Sequence, residues 1–232
     1  VYHHHHNHFF LLFIFCIMGC VASKNGYGGD DKQRKENQRI EKALRNDRKE
    51  REFLIKLLLL GAGESGKSTF AKQMKILFLE GYSKQELTFY KDIIHSNIII
   101  GMRTMIQEAE KRNYKFGDGM EEHVELLSSE DLLLDPVIDE QIEAAIAVLW
   151  EDKTIKKTYR RRNEYQLSES VGYFLENIKR IAKEDYVPTV EDVLQARART
   201  IGVKEITFKS EGHQWKLVDV GGQRIERKKW IH

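Results

Sequence analysis

The octapeptide Gly61-Ala62-Gly63-Glu64-Ser65-Gly66-Lys67-Ser68 follows directly on the apolar run Phe53-Leu54-Ile55-Lys56-Leu57-Leu58-Leu59-Leu60, and it constrains everything around it. It fits the pattern G-x-x-x-x-G-K-[ST], and the residues after it, Thr69 to Phe78, repeat with helical spacing. Strand, loop and helix therefore come in the order that a phosphate-binding loop requires. Gly61 and Gly66 let the backbone wrap tightly, so that amide N–H groups point inward at phosphate oxygens. The amino terminus of the next helix adds its partial positive charge. Lys67 is placed to reach the β and γ phosphates, and Ser68 to put its hydroxyl on Mg²⁺.

Downstream, Phe78 to Pro188 reads as helical, about 110 residues and so a domain-sized piece. Ser83-Lys84-Gln85-Glu86 is a capping box. It opens a helix to about Arg112 on which Tyr90, Ile93, Ile94, Ile98, Met102, Met105 and Ile106 form a core face. Further helices are predicted over Asp139–Trp150, Ser168–Ala182 and Thr189–Ala196, with breaks at Phe116–Gly119 and Ser128–Asp131. No period of about twenty to fifty residues repeats, which excludes a solenoid. Lys204 to Lys209 then alternates polar and apolar, Ser210-Glu211-Gly212 supplies a turn, and Trp215 to Val220 reads as a second strand of a hairpin. The hairpin ends in Asp219-Val220-Gly221-Gly222-Gln223. An acidic residue there can hold the Mg²⁺ shell, and Gly222 can bring its N–H against a γ-phosphate. Alone such a turn is weak evidence; paired with the phosphate loop it is strong.

Upstream the chain carries two different signals. Residues 1 to 8 are mostly His, and the apolar run Phe9 to Ile17 is too short to span a bilayer as a helix. A secretory signal is disfavoured because the flank lacks Lys and Arg and the body lacks cysteine. From Met18, the residues Met18-Gly19-Cys20-Val21-Ala22-Ser23 match the pattern for myristoylation of Gly19, with Cys20 beside it for a palmitoyl group. Two acyl chains would anchor the protein to a membrane. On this reading residues 1–17 are an untranslated or non-native leader. Lys24 to Glu52 is dense in charge of both signs and suits a solvated helix, either an exposed arm or a docking helix for a partner or an anionic membrane. The composition is 41% hydrophobic and 32% charged, with a net charge of only +2. That describes a globular chain of one or two domains and gives no argument for nucleic-acid binding. Cys16 and Cys20 are its two cysteines, so a disulfide framework or zinc site is not expected.

Together GAGESGKST at Gly61–Thr69, the helical insert, DVLQARARTIG at Asp192–Gly202 and DVGGQRIERKKWIH at Asp219–His232 resemble a heterotrimeric G-protein α subunit. The resemblance runs from about Met18 to the last residue, and the helical insert separates it from small GTPases. It implies a P-loop GTPase (Ras-like) α/β fold, a parallel sheet with an inserted all-helical domain. The lipidated helix would cover 18–52, the first part of the GTPase domain 53–80, the insert 81–188, and switch I, hairpin and start of switch II 189–232. The resemblance implies GTP and GDP as ligands and Mg²⁺ as cofactor, held by Ser68, Thr200 and, through water, Asp219. Arg197 would stabilise transition-state charge in cis, three residues before Thr200, and Gln223 would orient the attacking water. Gly61, Ala62, Gly63, Glu64, Ser65, Gly66, Lys67, Ser68, Thr69, Ser170, Leu194, Gln195, Arg197, Thr200, Asp219, Gly222 and Gln223 would touch the nucleotide. A βγ dimer, a G-protein-coupled receptor and an effector are the implied partners, at the cytoplasmic face of the plasma membrane.

Some residues depart from the family pattern: Glu169 stands where relatives often carry Asp, Gln195 where many carry Arg, and Ala196, Ala198 and Ile201 also differ. The chain stops at His232 within the expected switch II helix, before the motifs that read guanine. The carboxyl-terminal part of the sheet would then be missing, and the expectation for this chain alone is low stability and weak GTP binding. Two further readings stand beside the switch: another P-loop ATPase or kinase, and a fragment or decoy that keeps βγ and membrane binding without turnover.

Overall fold

The structure is a computed structural model and describes residues 30–52 and 54–231. The leader at 1–17 and the lipidation sites Gly19 and Cys20 lie outside the described residues. Two compact units divide at Glu52. In the first, α1 (Asp30–Glu52) is a helix whose residues 31–46 are all exposed. Its ion pairs Glu36–Arg39 at 3.9 Å and Glu41–Arg45 at 3.6 Å follow the helical repeat and add a few tenths of a kcal/mol each. Ile40 and Leu44, its two larger apolar residues in this stretch, are left in solvent.

The second unit carries a three-stranded sheet of β1 (Leu54–Leu59), β2 (Val203–Ser210) and β3 (His213–Val220), in the order β1-β3-β2. β1 runs parallel to β3, from Leu54 opposite Gln214 to Leu59 opposite Asp219. β2 is antiparallel to β3, as the expected hairpin requires, so the described sheet is mixed rather than wholly parallel. The hairpin turn is Glu211-Gly212, both with positive φ (51° and 76°), the geometry that matches the twist of the flanking strands. The parallel register has a direct consequence. It brings the carboxyl ends of β1 and β3 side by side, so the loop after β1 opens next to Asp219, where ligands of α/β sheets bind.

α2 (Lys67–Phe78) lies on this sheet, where Ala71, Phe208 and Leu217 form a small core ringed by Leu59, Met74, Ile206 and Trp215. Between α2 and β2 every described element is helical. α3 (Lys84–Lys111) starts at the capping box of Ser83 and Glu86. Its Ile94, Ile98, Met102, Met105 and Ile106 are buried, while Tyr90 and Ile93 pack against them partly exposed. They join residues of α6 (Glu140–Glu151), α7 (Lys153–Arg160) and α8 (Val171–Glu176) in one apolar cluster. The break expected at Ser128–Asp131 is shorter, since α4 (Glu121–Ser128) and α5 (Asp131–Leu134) close on it from both sides. The helix expected over Ser168–Ala182 is divided at Asn177 into α8 and α9 (Ile178–Ile181). Among the described residues no helix is long and apolar enough to cross a membrane.

α10 (Val190–Gln195) leads into the site and is held by a buried carboxylate. Asp192 takes a two-pronged hydrogen bond from Arg180, with both contacts at 2.7 Å. It also accepts from the Tyr173 hydroxyl at 2.8 Å, the Tyr186 hydroxyl at 3.0 Å and the Thr189 amide at 2.8 Å. Burial pushes its carboxyl upward, but Arg180, Thr189 and Tyr173 outweigh that and hold it below the usual carboxylate range. The folded-state pKa is thus depressed, so its stabilisation is complete above the unfolded value of about 4 and is lost as pH falls below it. Asp192→Asn should therefore cost about 3 kcal/mol in urea denaturation at pH 7, because Arg180 keeps its charge without a counter-ion. The gap between variant and parent should narrow as the pH is lowered below about 4; a gap independent of pH would contradict the assignment.

Candidate functional site

The loop from Leu60 to Gly66 turns directly into α2, and Gly66 makes the junction with φ 83°, a left-handed conformation that glycine adopts without strain. No side chain caps this helix and its first turn holds no acidic residue. Its first-turn amides have no acceptor within the helix, and its amino terminus is electropositive. Lys67 Nζ folds back over the loop and donates to the carbonyls of Gly61 (3.0 Å) and Ala62 (2.7 Å), with Ser65 Oγ at 3.4 Å.

Ser68, one residue into the helix, meets two residues far away in sequence. Its Oγ lies 2.7 Å from Thr200 Oγ1 and 2.9 Å from Asp219 Oδ2, and Thr200 Oγ1 donates to the same Oδ2 at 3.3 Å. Asp219 is 3% exposed, and its other oxygen, Oδ1, is buried without a hydrogen-bond partner. Leaving such an oxygen unpaired costs on the order of 1–3 kcal/mol, more for a charged group. Two hydroxyls and a carboxylate with a spare buried oxygen make a set of hard oxygen donors, which suits Mg²⁺ rather than a thiophilic metal.

Lys67, Ser68 and Thr200 border a cavity of about 840 Å³. Its lining includes Gly63 to Thr69, Leu194, Gln195, Arg197, Thr200, Gly222, Gln223 and, from the helical segment, Ser170. Gly61, Ala62 and Asp219 are not on the lining but bond to residues that are. All the residues expected at the nucleotide are therefore gathered at one place. Lys67, Lys72, Arg197 and Arg199 are among its lining residues together with Glu64 and Glu169, an excess of cations that suits a polyanion. Arg197 forms an ion pair with Glu64 near the loop; both side chains are at least half exposed. Ser170 bonds to Ser168 (2.9 Å) and Gln195 to Glu191 (2.9 Å), neighbours on their own segments.

Several lining residues escape a reading of the sequence. Lys72 of α2 is buried and donates to the carbonyls of Val193 (2.8 Å) and Ala196 (2.5 Å) at the end of α10. Burial, with the nearby cation of Lys204, pushes its ammonium down to about 8. Asn97, Gly101 and Thr104 turn one face of α3 to the cavity. The available signal was that small and polar residues recur at helical spacing along one face of α3, at 97, 101 and 104.

After β3 the chain is tied back over the site. Gly202 N–H donates to Glu226 (2.9 Å), Arg227 to the Gly222 carbonyl (3.2 Å) and Trp230 to the Gly221 carbonyl (3.0 Å). A Cβ on Gly222 would stand 2.6 Å from the Gly61 carbonyl oxygen, 2.6 Å from Lys67 Nζ and 2.7 Å from the Ala62 carbonyl carbon. Gly222→Ala should thus cost about 1–3 kcal/mol in chemical denaturation through steric overlap with backbone. Gly63→Ala, whose new methyl would meet Gln223 Cγ at an ordinary 3.7 Å, should stay within about 0.5 kcal/mol of the parent. Equal costs for the two would refute the close approach.

Comparison with known proteins gives the same direction. The family model described as G-protein alpha subunit matches residues 34–232. A guanine nucleotide-binding protein subunit alpha of Cryphonectria parasitica is 41% identical over 218 residues, 93% of this chain and 60% of its own length. The alpha-1 subunit of Neurospora crassa gives the same figures, 41% identity with 93% and 60% covered. The alpha-7 subunit of Caenorhabditis elegans is 39% identical over 202 residues, covering 84% of this chain and 56% of that one. The chain thus spans about 60% of the length of the fungal relatives it matches. With the phosphate-loop motif, the oxygen cluster and this match over most of its length, the chain belongs to the G-protein α subunit family.

Proposed function

We propose that the full natural polypeptide carrying this sequence binds GTP with Mg²⁺ and hydrolyses it as the α subunit of a heterotrimeric G protein. The observation that carries this reading is the meeting of Ser68, Thr200 and Asp219, with a buried unpaired oxygen on Asp219, beside Lys67 and an uncapped helix terminus. The choice of guanine is supported by the relatives, whose names state that they bind guanine nucleotides.

In this proposal the hydroxyls of Ser68 and Thr200 would hold Mg²⁺, and Asp219 would hold it through water. Bound there, the ion neutralises charge on the β and γ phosphate oxygens. Lys67 exchanges the carbonyls of Gly61 and Ala62 for phosphate oxygens, while the amides of the loop and first helical turn supply further donors. Arg197 leaves Glu64 to meet the charge that develops on the transferring phosphoryl group. Gln223 orients a water whose oxygen bonds to the γ-phosphorus as the bridging P–O bond breaks, giving GDP and phosphate. Thr200 and the backbone at Gly222 sense the γ-phosphate, so its loss frees the segments around Thr200 and after Val220 to rearrange and change a partner surface. Residues 81–188 serve as an inserted helical domain that covers the nucleotide. Acyl groups on Gly19 and Cys20, with α1, hold the protein at the cytoplasmic face of the plasma membrane, where a βγ dimer, a receptor and an effector bind it.

The test is nucleotide binding and single-turnover hydrolysis in the full natural polypeptide. Arg197→Cys should slow hydrolysis by roughly 10³ to 10⁵, the general range for GTPase arginines, and Gln223→Leu by orders of magnitude as well, with nucleotide affinity little changed. Lys67→Ala and Ser68→Asn should instead weaken nucleotide and Mg²⁺ binding, and excess ATP should not displace GTP. Parent-like turnover in the first pair, or parent-like affinity in the second, would overturn the roles.

A further inference from the structure

Asn97 lies in the middle of α3, among Ile94, Ile98 and Met102 that form the core face of that helix. Asparagine is one of the weaker helix formers, because its side chain competes for backbone bonds. Here it does so at a distance of 100 residues. Its Oδ1 accepts from the backbone N–H of Arg197 at 2.7 Å, and its Nδ2 donates to the backbone carbonyl of the same residue at 3.1 Å. A primary amide has one acceptor and one donor side in a plane, and both are spent on one peptide position, as a neighbouring strand would spend them. The preceding carbonyl, that of Ala196, is taken by Lys72 from α2. The backbone at 196–197 is thus gripped from two helices, whereas the Arg197 side chain remains half exposed and reaches Glu64 through an ion pair.

We infer that Asn97 is a positioning residue for the arginine: it fixes the Cα of Arg197 so that the guanidinium swings from a fixed pivot between Glu64 and the reacting phosphate. This rests on the role proposed above for Arg197. The physical need is strict, since a misplacement of about 1 Å can cost about a hundredfold in rate. The segment around Arg197 has no regular structure to hold it: α10 ends at Gln195 and β2 begins only at Val203. A clamp from a long, deeply packed helix supplies the missing rigidity. Because it holds backbone only, it works whatever side chain stands at 197.

The experiment is a double-mutant cycle in the full natural polypeptide, read by single-turnover GTP hydrolysis, by nucleotide affinity, and by amide hydrogen exchange without added nucleotide. Asn97→Ala should slow hydrolysis roughly ten- to a hundredfold with GTP affinity within about twofold. In an Arg197→Ala background the same change should slow it no further, because there is no guanidinium left to place. The amide of residue 197 should exchange at least about tenfold faster in Asn97→Ala, yet stay protected in Arg197→Ala. Parent-like hydrolysis in Asn97→Ala, an equal slowing in both backgrounds, or unchanged exchange at residue 197 would each overturn the inference. If Arg197→Ala alone hydrolyses at the parent rate, the role of Arg197 fails instead, and the exchange measurement still decides whether the clamp exists.

Discussion

Three oxygen-bearing side chains meet where two parallel strands end. Ser68 opens a helix, Thr200 lies on an irregular segment, and Asp219 closes a strand, yet their oxygens stand within 2.7 to 3.3 Å of one another. The carboxylate among them is buried with one oxygen unpaired, an arrangement that opposes folding unless a cation or donor is meant to complete it. The parallel pairing of β1 and β3 makes the meeting possible by setting Leu59 beside Asp219. The loop, the first turn of α2 and the glycines after β3 then converge around that point.

The helical part of the chain contributes something different. Its core of isoleucine, methionine, leucine and phenylalanine residues contains most of the fully buried large side chains. A core packed to crystal-like density transmits position faithfully from one element to the next. Asp192 secures the helix that leads to Leu194 and Gln195, Lys72 holds the end of that helix to α2, and Asn97 grips the next residue. Polar groups thus connect an apolar scaffold to a segment with no secondary structure of its own. Lys72 spends buried hydrogen bonds on backbone carbonyls of this segment, and Asn97 spends both sides of its amide on the backbone of Arg197.

Much of this was legible in the residues themselves. The capping box at Ser83 and Glu86, the core face of α3 and the hairpin at Glu211-Gly212 are all local signals, because their partners lie within a few residues along the chain. The division of the Ser168–Ala182 stretch at Asn177 was not legible. Apolar spacing continues across it, and only packing against other helices decides where the backbone bends. Lys72 and Asn97 were invisible for a similar reason. A lysine or an asparagine on a helix reads as a solvated residue until the segment it binds, more than a hundred positions away in one case, is brought against it.

By itself, then, the order of residues determined that a strand, a glycine-rich loop and a helix would form a phosphate cradle, and that an acidic residue and two glycines would close a later strand. These are properties of short stretches, set by backbone freedom, side-chain period and the donors a turn can present. Tertiary structure alone decided that Thr200 and Asp219 share a corner with Ser68, that Gly222 has room for no side chain, and that Arg197 is held by its backbone. Those outcomes depend on distances between segments remote in the chain. Such distances are set by the packing of a whole core and the register of a sheet, which no local pattern specifies.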